Sequence, residues 1–303
     1  MIDTKKIWMD GEFVNHDEAK IHVLSHVIHY GSSFFEGIRA YKTNKGTAVF
    51  RLNEHINRLF DSCKIYYTQI PFTKREIKEA ILNTLRENKL KEAYIRPVVY
   101  RGYNVLGVDP SNCPINVIIA AWEWTPLFNE VEMKNGIDAK VSSWARLAPN
   151  TMPALAKAGG NYLSSQLIRM EALMNGYDEG IALNSQGFLG EGSGENIFLI
   201  KGNVIHTPSM SSSVLSGITR DTVIRICEKT GYKVIEQNIP RELLYIADEV
   251  FIVGTAAEIT PVKTIDKISI GDGNFKITNE IQNMYYNIVK DKLQIEANWL
   301  SYI

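Results

Sequence analysis

The segment Ala156-Lys157-Ala158-Gly159-Gly160-Asn161-Tyr162 places one lysine among alanines and glycines, with a tyrosine five residues further on. Polar neighbours keep most surface lysines hydrated, whereas these apolar flanks predict a partly desolvated amine. Desolvation favours the uncharged amine, which can attack a carbonyl and form a Schiff base. Gly159 and Gly160 would let a flat ligand approach the backbone. Taken alone, the segment is better explained as an ordinary loop, so its interpretation depends on the rest of the chain.

The composition predicts a globular protein of about two domains, since the chain has 303 residues, 45% hydrophobic and 22% charged. A net charge of -1 gives no reason to expect binding to nucleic acid or to an anionic membrane. No apolar run approaches the ~20 residues of a membrane helix, and residues 1–6 lack the apolar core of a signal peptide. Cys63, Cys113 and Cys227 have no disulfide or zinc spacing, which indicates free thiols in a cytoplasmic protein.

The pattern of strands and helices predicts an α+β fold in two parts. We expect a small N-terminal α+β domain over residues 1–124, an inter-domain loop over 125–136 and a large C-terminal domain over 137–303 that carries Lys157. Strands and helices do not alternate regularly, which argues against a doubly wound parallel sheet.

Capping signals predict where three helices begin. Asn53 can cap a helix that extends to about residue 67. Thr73 and Glu76 form a capping box for the next helix. Thr219 can cap a later helix, which Gly231 would end.

Three features indicate a site for a phosphorylated ligand. The segment Ser216-Gly217-Ile218-Thr219-Arg220 precedes a predicted helix, and amides at a helix N-terminus bind phosphate. Gly254-Thr255-Ala256-Ala257 follows a predicted strand and offers small residues and a hydroxyl. Arg58 could add a charge-assisted contact. Each feature taken singly also fits a helix cap, a tight turn or a solvated arginine.

The segment Glu191-Gly192-Ser193-Gly194-Glu195-Asn196 places two carboxylates among glycines. A buried carboxylate that faces a ring nitrogen would hold that nitrogen protonated. A protonated pyridine is what makes pyridoxal phosphate an electron sink. The alternative for this segment is a surface turn with solvated acids.

Together these motifs resemble the class IV pyridoxal-phosphate enzymes, and within them the branched-chain amino acid aminotransferases. The resemblance extends from Tyr30 to Pro261, most of the chain. It implies a two-domain α+β fold of type IV, like that of D-amino acid aminotransferase, with pyridoxal 5'-phosphate as cofactor and no metal. The segments that carry the resemblance are Phe35-Glu36-Gly37-Ile38-Arg39, Tyr94-Ile95-Arg96-Pro97, Lys157 to Tyr162, Glu191 to Asn196, Gly217 to Arg220 and Gly254 to Pro261.

The resemblance also implies roles toward the cofactor. Lys157 would hold it as a Schiff base and later move the substrate proton. Tyr162 would hydrogen-bond the ring oxygen, and Glu191 would pair with the pyridine nitrogen. The implied phosphate contacts are Arg58, the amides of Ile218 and Thr219, and Thr255.

Further implied roles concern the substrates. Tyr94 and the backbone of Ala256 and Ala257 would receive the substrate carboxylate, and Tyr30 and Arg96 the distal carboxylate of glutamate. The implied apolar pocket consists of Phe35, Gly37, Trp124 and Tyr162, with Leu106 and Val108 contributed by a partner subunit. The resemblance thus implies a homodimer with a shared active site, and a hexamer is compatible with it.

The function that this resemblance implies is transamination between leucine, isoleucine or valine and 2-oxoglutarate. A D-amino acid or (R)-amine transaminase and an aminodeoxychorismate lyase share the fold and remain alternatives. A non-catalytic binding module would lack Lys157 or Glu191, and both are present. The chain departs from the family at Ser216, where proline is frequent, and at Leu127, where some members have an aromatic residue; the second departure leaves the pocket size open.

Overall fold

A computed structural model describes residues 4–303. Residues 1–3 lie outside the described residues; they belong to the predicted N-terminal domain and to the segment 1–6 that lacks a signal-peptide core. The chain forms two compact units: residues 4–125, 156–160 and 289–303 make up the first, and residues 126–155 and 161–288 the second. This division differs from the boundaries expected above, because the segment with Lys157 and the last fifteen residues pack with the first unit.

The strands, in chain order, are β1 (Lys6–Met9), β2 (Glu12–Asn15), β3 (Ser33–Phe35), β4 (Ile38–Thr43), β5 (Gly46–Phe50), β6 (Ala93–Arg101), β7 (Ile115–Glu123), β8 (Ile137–Val141), β9 (Glu179–Leu183), β10 (Leu189–Gly192), β11 (Asn196–Lys201), β12 (Val204–Pro208), β13 (Lys233–Gln237), β14 (Glu249–Gly254), β15 (Glu258–Ile265), β16 (Ile268–Ser269) and β17 (Leu300–Tyr302). The α-helices are α1 (His26–Tyr30), α2 (Leu52–Ile65), α3 (Lys74–Glu87), α4 (Glu130–Asn135), α5 (Tyr162–Met174), α6 (Ile218–Thr230), α7 (Leu243–Ile246) and α8 (Lys276–Val289). Short 3-10 turns lie at His16–Glu18, Gly159–Asn161 and Met210–Ser212.

The first unit is built on an antiparallel sheet in the order β17-β5-β4-β6-β7-β1-β2, with β3 also paired to β6. Helices α2 and α3 cover it with apolar faces, among them Leu59 and Ile81, both fully buried. Ala156 and Ala158, on either side of Lys157, belong to the same core. The lysine segment is therefore anchored by the burial of its alanines.

The second unit is built on a mixed sheet in the order β10-β9-β8-β15-β14-β11-β12-β13, with β16 paired to β15. Strand β8 is parallel to both β9 and β15, and β12 is parallel to β13. The central strands β11 and β14 read as continuous apolar runs because both of their faces are buried.

Capping chemistry accounts for two helix starts. Thr73 Oγ1 accepts from the Glu76 amide at 3.2 Å while Glu76 Oε2 accepts from the Thr73 amide at 2.7 Å, which confirms the predicted capping box. The same arrangement of Asn129 and Glu132 starts α4 inside the segment expected to be an irregular inter-domain loop.

Two predicted caps are wrong by two residues. Helix α2 begins at Leu52 after Arg51, not after Asn53, and α6 begins at Ile218 after Gly217, not after Thr219. Neither N-cap residue, Arg51 or Gly217, makes a side-chain cap hydrogen bond. Within residues 4–303, no helix combines the length and the apolar character that a membrane crossing requires.

Candidate active site

The backbone of Lys157 is held on both sides by the first unit. Its amide donates to Ser62 Oγ at 2.9 Å, and its carbonyl accepts from the Phe35 amide at 3.0 Å. The half-buried side chain brings Nζ to 4.9 Å from the centre of the Phe35 ring. The backbone of Lys157 is thus held by α2 and β3.

The two glycines after Lys157 lie close to neighbouring segments of the chain. A Cβ on Gly159 would overlap Ser33 Oγ, and a Cβ on Gly31 would lie 3.3 Å from the Cα of Gly160. The close approach of β3 therefore disfavours any side chain at position 159. The approach of a flat ligand to these glycines stays a prediction.

Five of the predicted substrate residues lie together near Lys157. Arg96 Nη2 donates to Tyr94 Oη at 3.2 Å, and its guanidinium carbon lies 4.7 Å from the centre of the Phe35 ring. Trp124 stacks on Tyr94 with the ring centres 5.1 Å apart. Gly37 is needed beneath them, because a Cβ there would overlap the Tyr94 hydroxyl. An amine and a guanidinium thus both lie over one apolar ring, and a phenol is hydrogen-bonded to the guanidinium.

Arg96 has a donor to spare in this cluster. Its Nε atom is buried and has no hydrogen-bond partner among residues 4–303. An unsatisfied buried donor is costly unless a ligand completes it. A carboxylate is the natural complement to a guanidinium edge.

Three other predicted substrate residues lie outside this cluster, on the surface of the first unit. Tyr30 is 48% exposed, and its ring stacks on His26 with the centres 4.5 Å apart. Leu106 and Val108 are 49% and 89% exposed, in the loop after β6.

Arg58 belongs to a buried ion pair that the sequence did not reveal. Its Nε and Nη2 donate to the two oxygens of Glu36 at 2.7 and 2.8 Å, and His55 Nδ1 lies 2.7 Å from Oε2. Burial opposes ionisation, but Arg58 and His55 still hold the pKa of Glu36 well below its usual range. The available signal was the spacing of His55 and Arg58, which places both on one face of α2.

Glu191, on β10 of the second unit, is buried among donors. Its Oε1 pairs with Arg146 Nη2 at 2.7 Å, and Oε2 accepts from Asn196 Nδ2 and the Leu215 amide, each at 3.0 Å. This environment favours an ionised carboxylate. Sequence reasoning missed Arg146, which lies outside every motif, whereas Asn196 ends the glutamate motif itself.

The neighbouring Glu195 is also buried, but its surroundings have the opposite effect. Burial, and next the charge of Glu179, raise the pKa of Glu195 to about 8. Glu179 itself is ion-paired with Arg169, and Glu195 Oε2 accepts from the Gly194 amide at 3.0 Å. The two carboxylates of one motif therefore lie in different electrostatic surroundings.

The predicted phosphate residues of the second unit lie at turns. Ile218 and Thr219 form the first turn of α6, where a Cβ on Gly217 would overlap the Asn196 amide oxygen. Thr255 is half-buried between β14 and β15. The remaining predicted residues of this unit are Tyr162, half-buried at the start of α5, and Ala256 and Ala257, which follow Thr255.

Comparisons with known proteins indicate the family of this chain. The family model of the class IV amino-transferases matches residues 33–265. A branched-chain-amino-acid aminotransferase of Escherichia coli strain K12 is 47% identical over 305 residues, which cover 99% of both chains.

Two solved structures are similar over the whole chain. The crystal structure of the branched-chain amino acid aminotransferase of Escherichia coli has a TM-score of 0.97 at 47% identity and covers 99% of each chain. That of a branched-chain amino acid aminotransferase from the archaeon Thermoproteus uzoniensis, with norvaline, has a TM-score of 0.94 at 42% identity and covers 99% of each chain. With a matching family model and relatives of this identity and coverage, the chain belongs to the class IV aminotransferases.

Proposed function

We propose that this protein transfers the amino group between leucine, isoleucine or valine and 2-oxoglutarate with pyridoxal 5'-phosphate as cofactor. The observation that carries the proposal is the arrangement around Phe35, where the Lys157 amine and the Arg96 guanidinium both lie over one apolar ring. The branched-chain aminotransferases described above, at 42–47% identity, support the choice of substrates.

The residues present fit this cofactor. Glu191 is a buried carboxylate, and its arginine and amide donors favour its charged form. A carboxylate that pairs with a protonated ring nitrogen has to be charged. Helix α6 begins at a glycine without a side-chain cap, and the N-terminus of a helix attracts phosphate. Lys157 is anchored by its backbone while its amine lies against an aromatic ring.

Bound pyridoxal phosphate supplies a carbonyl that condenses with amines and a ring that accepts electrons. We assign the proton transfer at the substrate α-carbon to Lys157 Nζ, and the charge partner of the pyridine nitrogen to Glu191. Tyr162 is assigned to the ring oxygen. The phosphate is assigned to Arg58, Ile218, Thr219 and Thr255.

The proposed transamination requires one pocket to accept both an apolar and an acidic substrate side chain. Phe35, Gly37 and Trp124 provide apolar contacts, which separate substrates that differ by a methylene by only ~1–3 kcal/mol. Leucine, isoleucine and valine should therefore all react. The distal carboxylate of glutamate is costly among apolar groups unless it is paired, and we assign that pairing to Arg96 and Tyr30.

Tyr94, Ala256 and Ala257 are assigned to the α-carboxylate. We also propose a homodimer in which Leu106 and Val108 of the partner subunit complete the site. The exposure of both side chains supports this proposal. We place the protein in the reducing cytoplasm, in keeping with its three buried free cysteines.

The test is the two half-reactions measured separately with the cofactor-loaded protein. We expect leucine, isoleucine, valine and glutamate each to convert the cofactor to its amine form, with release of the matching 2-oxo acid. Lys157→Ala should lose the yellow absorbance of the loaded protein and at least the roughly 10²- to 10⁴-fold that general base catalysis supplies. A Lys157→Ala protein with normal turnover, or a wild type inert toward all four amino acids, would refute the assignment.

A further inference from the structure

A buried charge network in the first unit lies beneath one of the proposed phosphate contacts. Glu36, between β3 and β4, has a fully buried side chain. Both of its oxygens accept from Arg58 on α2, Oε1 from Nε at 2.7 Å and Oε2 from Nη2 at 2.8 Å. This is the bidentate geometry that fixes a guanidinium plane.

The third member of the network is His55, one turn before Arg58 on α2. Its Nδ1 lies 2.7 Å from Glu36 Oε2, and because an ionised carboxylate only accepts, the ring donates this hydrogen bond. Burial lowers the pKa of His55, which leaves the imidazole neutral. The network thus contains one negative and one positive group, and it keeps Glu36 a strong acceptor.

Stability alone does not account for such a network. A buried ion pair contributes little compared with apolar residues of equal volume, because desolvation offsets the attraction. What a bidentate contact does supply is orientation. Arginine has many rotamers, and a guanidinium that is already fixed loses less entropy when it binds an anion.

The contact with Glu36 fixes the guanidinium through its Nε and Nη2 atoms. We infer that Glu36 is a positioning residue that holds the guanidinium of Arg58 in the orientation that binds the cofactor phosphate. The inference rests on the proposed function, which assigns Arg58 to that phosphate.

The decisive experiment compares two ligands that differ only in the phosphate. Cofactor-free wild type and Glu36→Gln are titrated with pyridoxal phosphate and with pyridoxal, and both dissociation constants are read from absorbance. We expect Glu36→Gln to weaken pyridoxal phosphate at least tenfold and to leave pyridoxal within twofold of the wild type. Equal weakening of both ligands would indicate a merely structural role and overturn the inference.

A double-mutant comparison covers the case in which Glu36→Gln does not fold, since that variant leaves a guanidinium buried without its partner. Arg58→Met and Glu36→Gln/Arg58→Met both lack the buried guanidinium. If Glu36 acts through Arg58, the two proteins bind pyridoxal phosphate with the same affinity. A double variant that binds more than threefold more weakly than Arg58→Met would overturn the inference.

Glu54→Gln is the matched control, because Glu54 lies on the same helix and pairs with Arg51 at 2.9 Å. It should bind both ligands as the wild type does. The outcomes also separate this inference from the proposed function. If Arg58→Met binds pyridoxal phosphate as tightly as the wild type, the assignment of Arg58 to the phosphate is wrong. If Arg58→Met binds it more weakly but Glu36→Gln binds it normally, only the proposed role of Glu36 is wrong.

Discussion

Arg96 has both a polar and an apolar environment. Its Nη2 is satisfied by the Tyr94 hydroxyl, while its Nε is buried without a partner among residues 4–303. The guanidinium also lies over Phe35, so the same group borders an apolar surface. A carboxylate can therefore be paired at a place where an aliphatic side chain is also tolerated.

We predict that Arg96→Met impairs glutamate much more than leucine. Loss of a hydrogen bond to a charged group costs about 1.5–3 kcal/mol, or roughly 10- to 100-fold in the glutamate half-reaction. Methionine keeps apolar contact with Phe35, so the leucine half-reaction should change by less than about threefold. Single-turnover rates with each amino acid decide the matter, and equal losses would mean that Arg96 only supports the strand.

Glu191 on β10 and Glu195 just after it are close in sequence but have different surroundings. Glu191 faces Arg146 and two further donors, whereas Glu195 lies near the charge of Glu179. The glycines between them need no left-handed backbone; Gly192 instead packs closely, since a Cβ there would lie 2.8 Å from Glu195 Oε2.

We predict that Glu195→Gln stabilises the protein progressively as the pH rises. The carboxyl ionises near 4.5 when unfolded, whereas its folded pKa is about 8. Between these values the folded chain binds more protons, so this group makes the free energy of unfolding fall with rising pH. The Glu195→Gln variant has no carboxyl that ionises at this position. In denaturant unfolding, its free energy of unfolding relative to that of the wild type should therefore rise by at least about 1 kcal/mol from pH 5 to pH 8.

Glu76→Gln on α3 is a control of opposite sign. Hydrogen bonds from the backbone and side chain of Thr73 lower the pKa of Glu76, so its contribution is present above the unfolded value and disappears as the pH falls. Its variant should be destabilised at neutral pH and approach the wild type in acid. If Glu195→Gln changes the free energy of unfolding by the same amount at every pH, the raised pKa of Glu195 is contradicted.

At the scale of the whole molecule, the loop after β6 leaves several large hydrophobic side chains exposed. Tyr103, Leu106 and Val108 are exposed, yet the loop is held in place by the stacking of His22 on Tyr103 at 4.2 Å and by a 2.8 Å hydrogen bond from the His26 ring to the Gly107 carbonyl. A fixed apolar surface of this kind is typical of a subunit contact.

We predict that the wild type is at least a dimer in solution and that Val108→Asp weakens the assembly, because a carboxylate would be buried without a partner at the contact. Light scattering over a range of protein concentrations should show the variant approaching the mass of one chain, with a parallel loss of activity. Val131→Asp, at another exposed position on α4 with 65% exposure, should keep the wild-type mass. A fully active wild-type monomer would sink the proposal.

The family and the helices that begin near Asn53, Thr73 and Thr219 followed from the sequence alone, which also singled out Lys157. These features depend on local rules: side-chain periodicity, the capping box at Thr73, the stop at Gly231 and the motifs around Lys157 and Glu191. Such signals act over a few residues, so they can be read without the fold.

Only the tertiary structure decided which distant side chains meet. The pairing of Glu36 with Arg58 joins positions 22 residues apart, and the Lys157 amide reaches Ser62 across 95 residues. The segment of Lys157 packs with the first unit because its alanines are buried in that core, which no local pattern indicates. Burial and neighbouring charge, rather than residue type, then separate Glu191 from Glu195, because the free energy of an ionised group depends on what surrounds it.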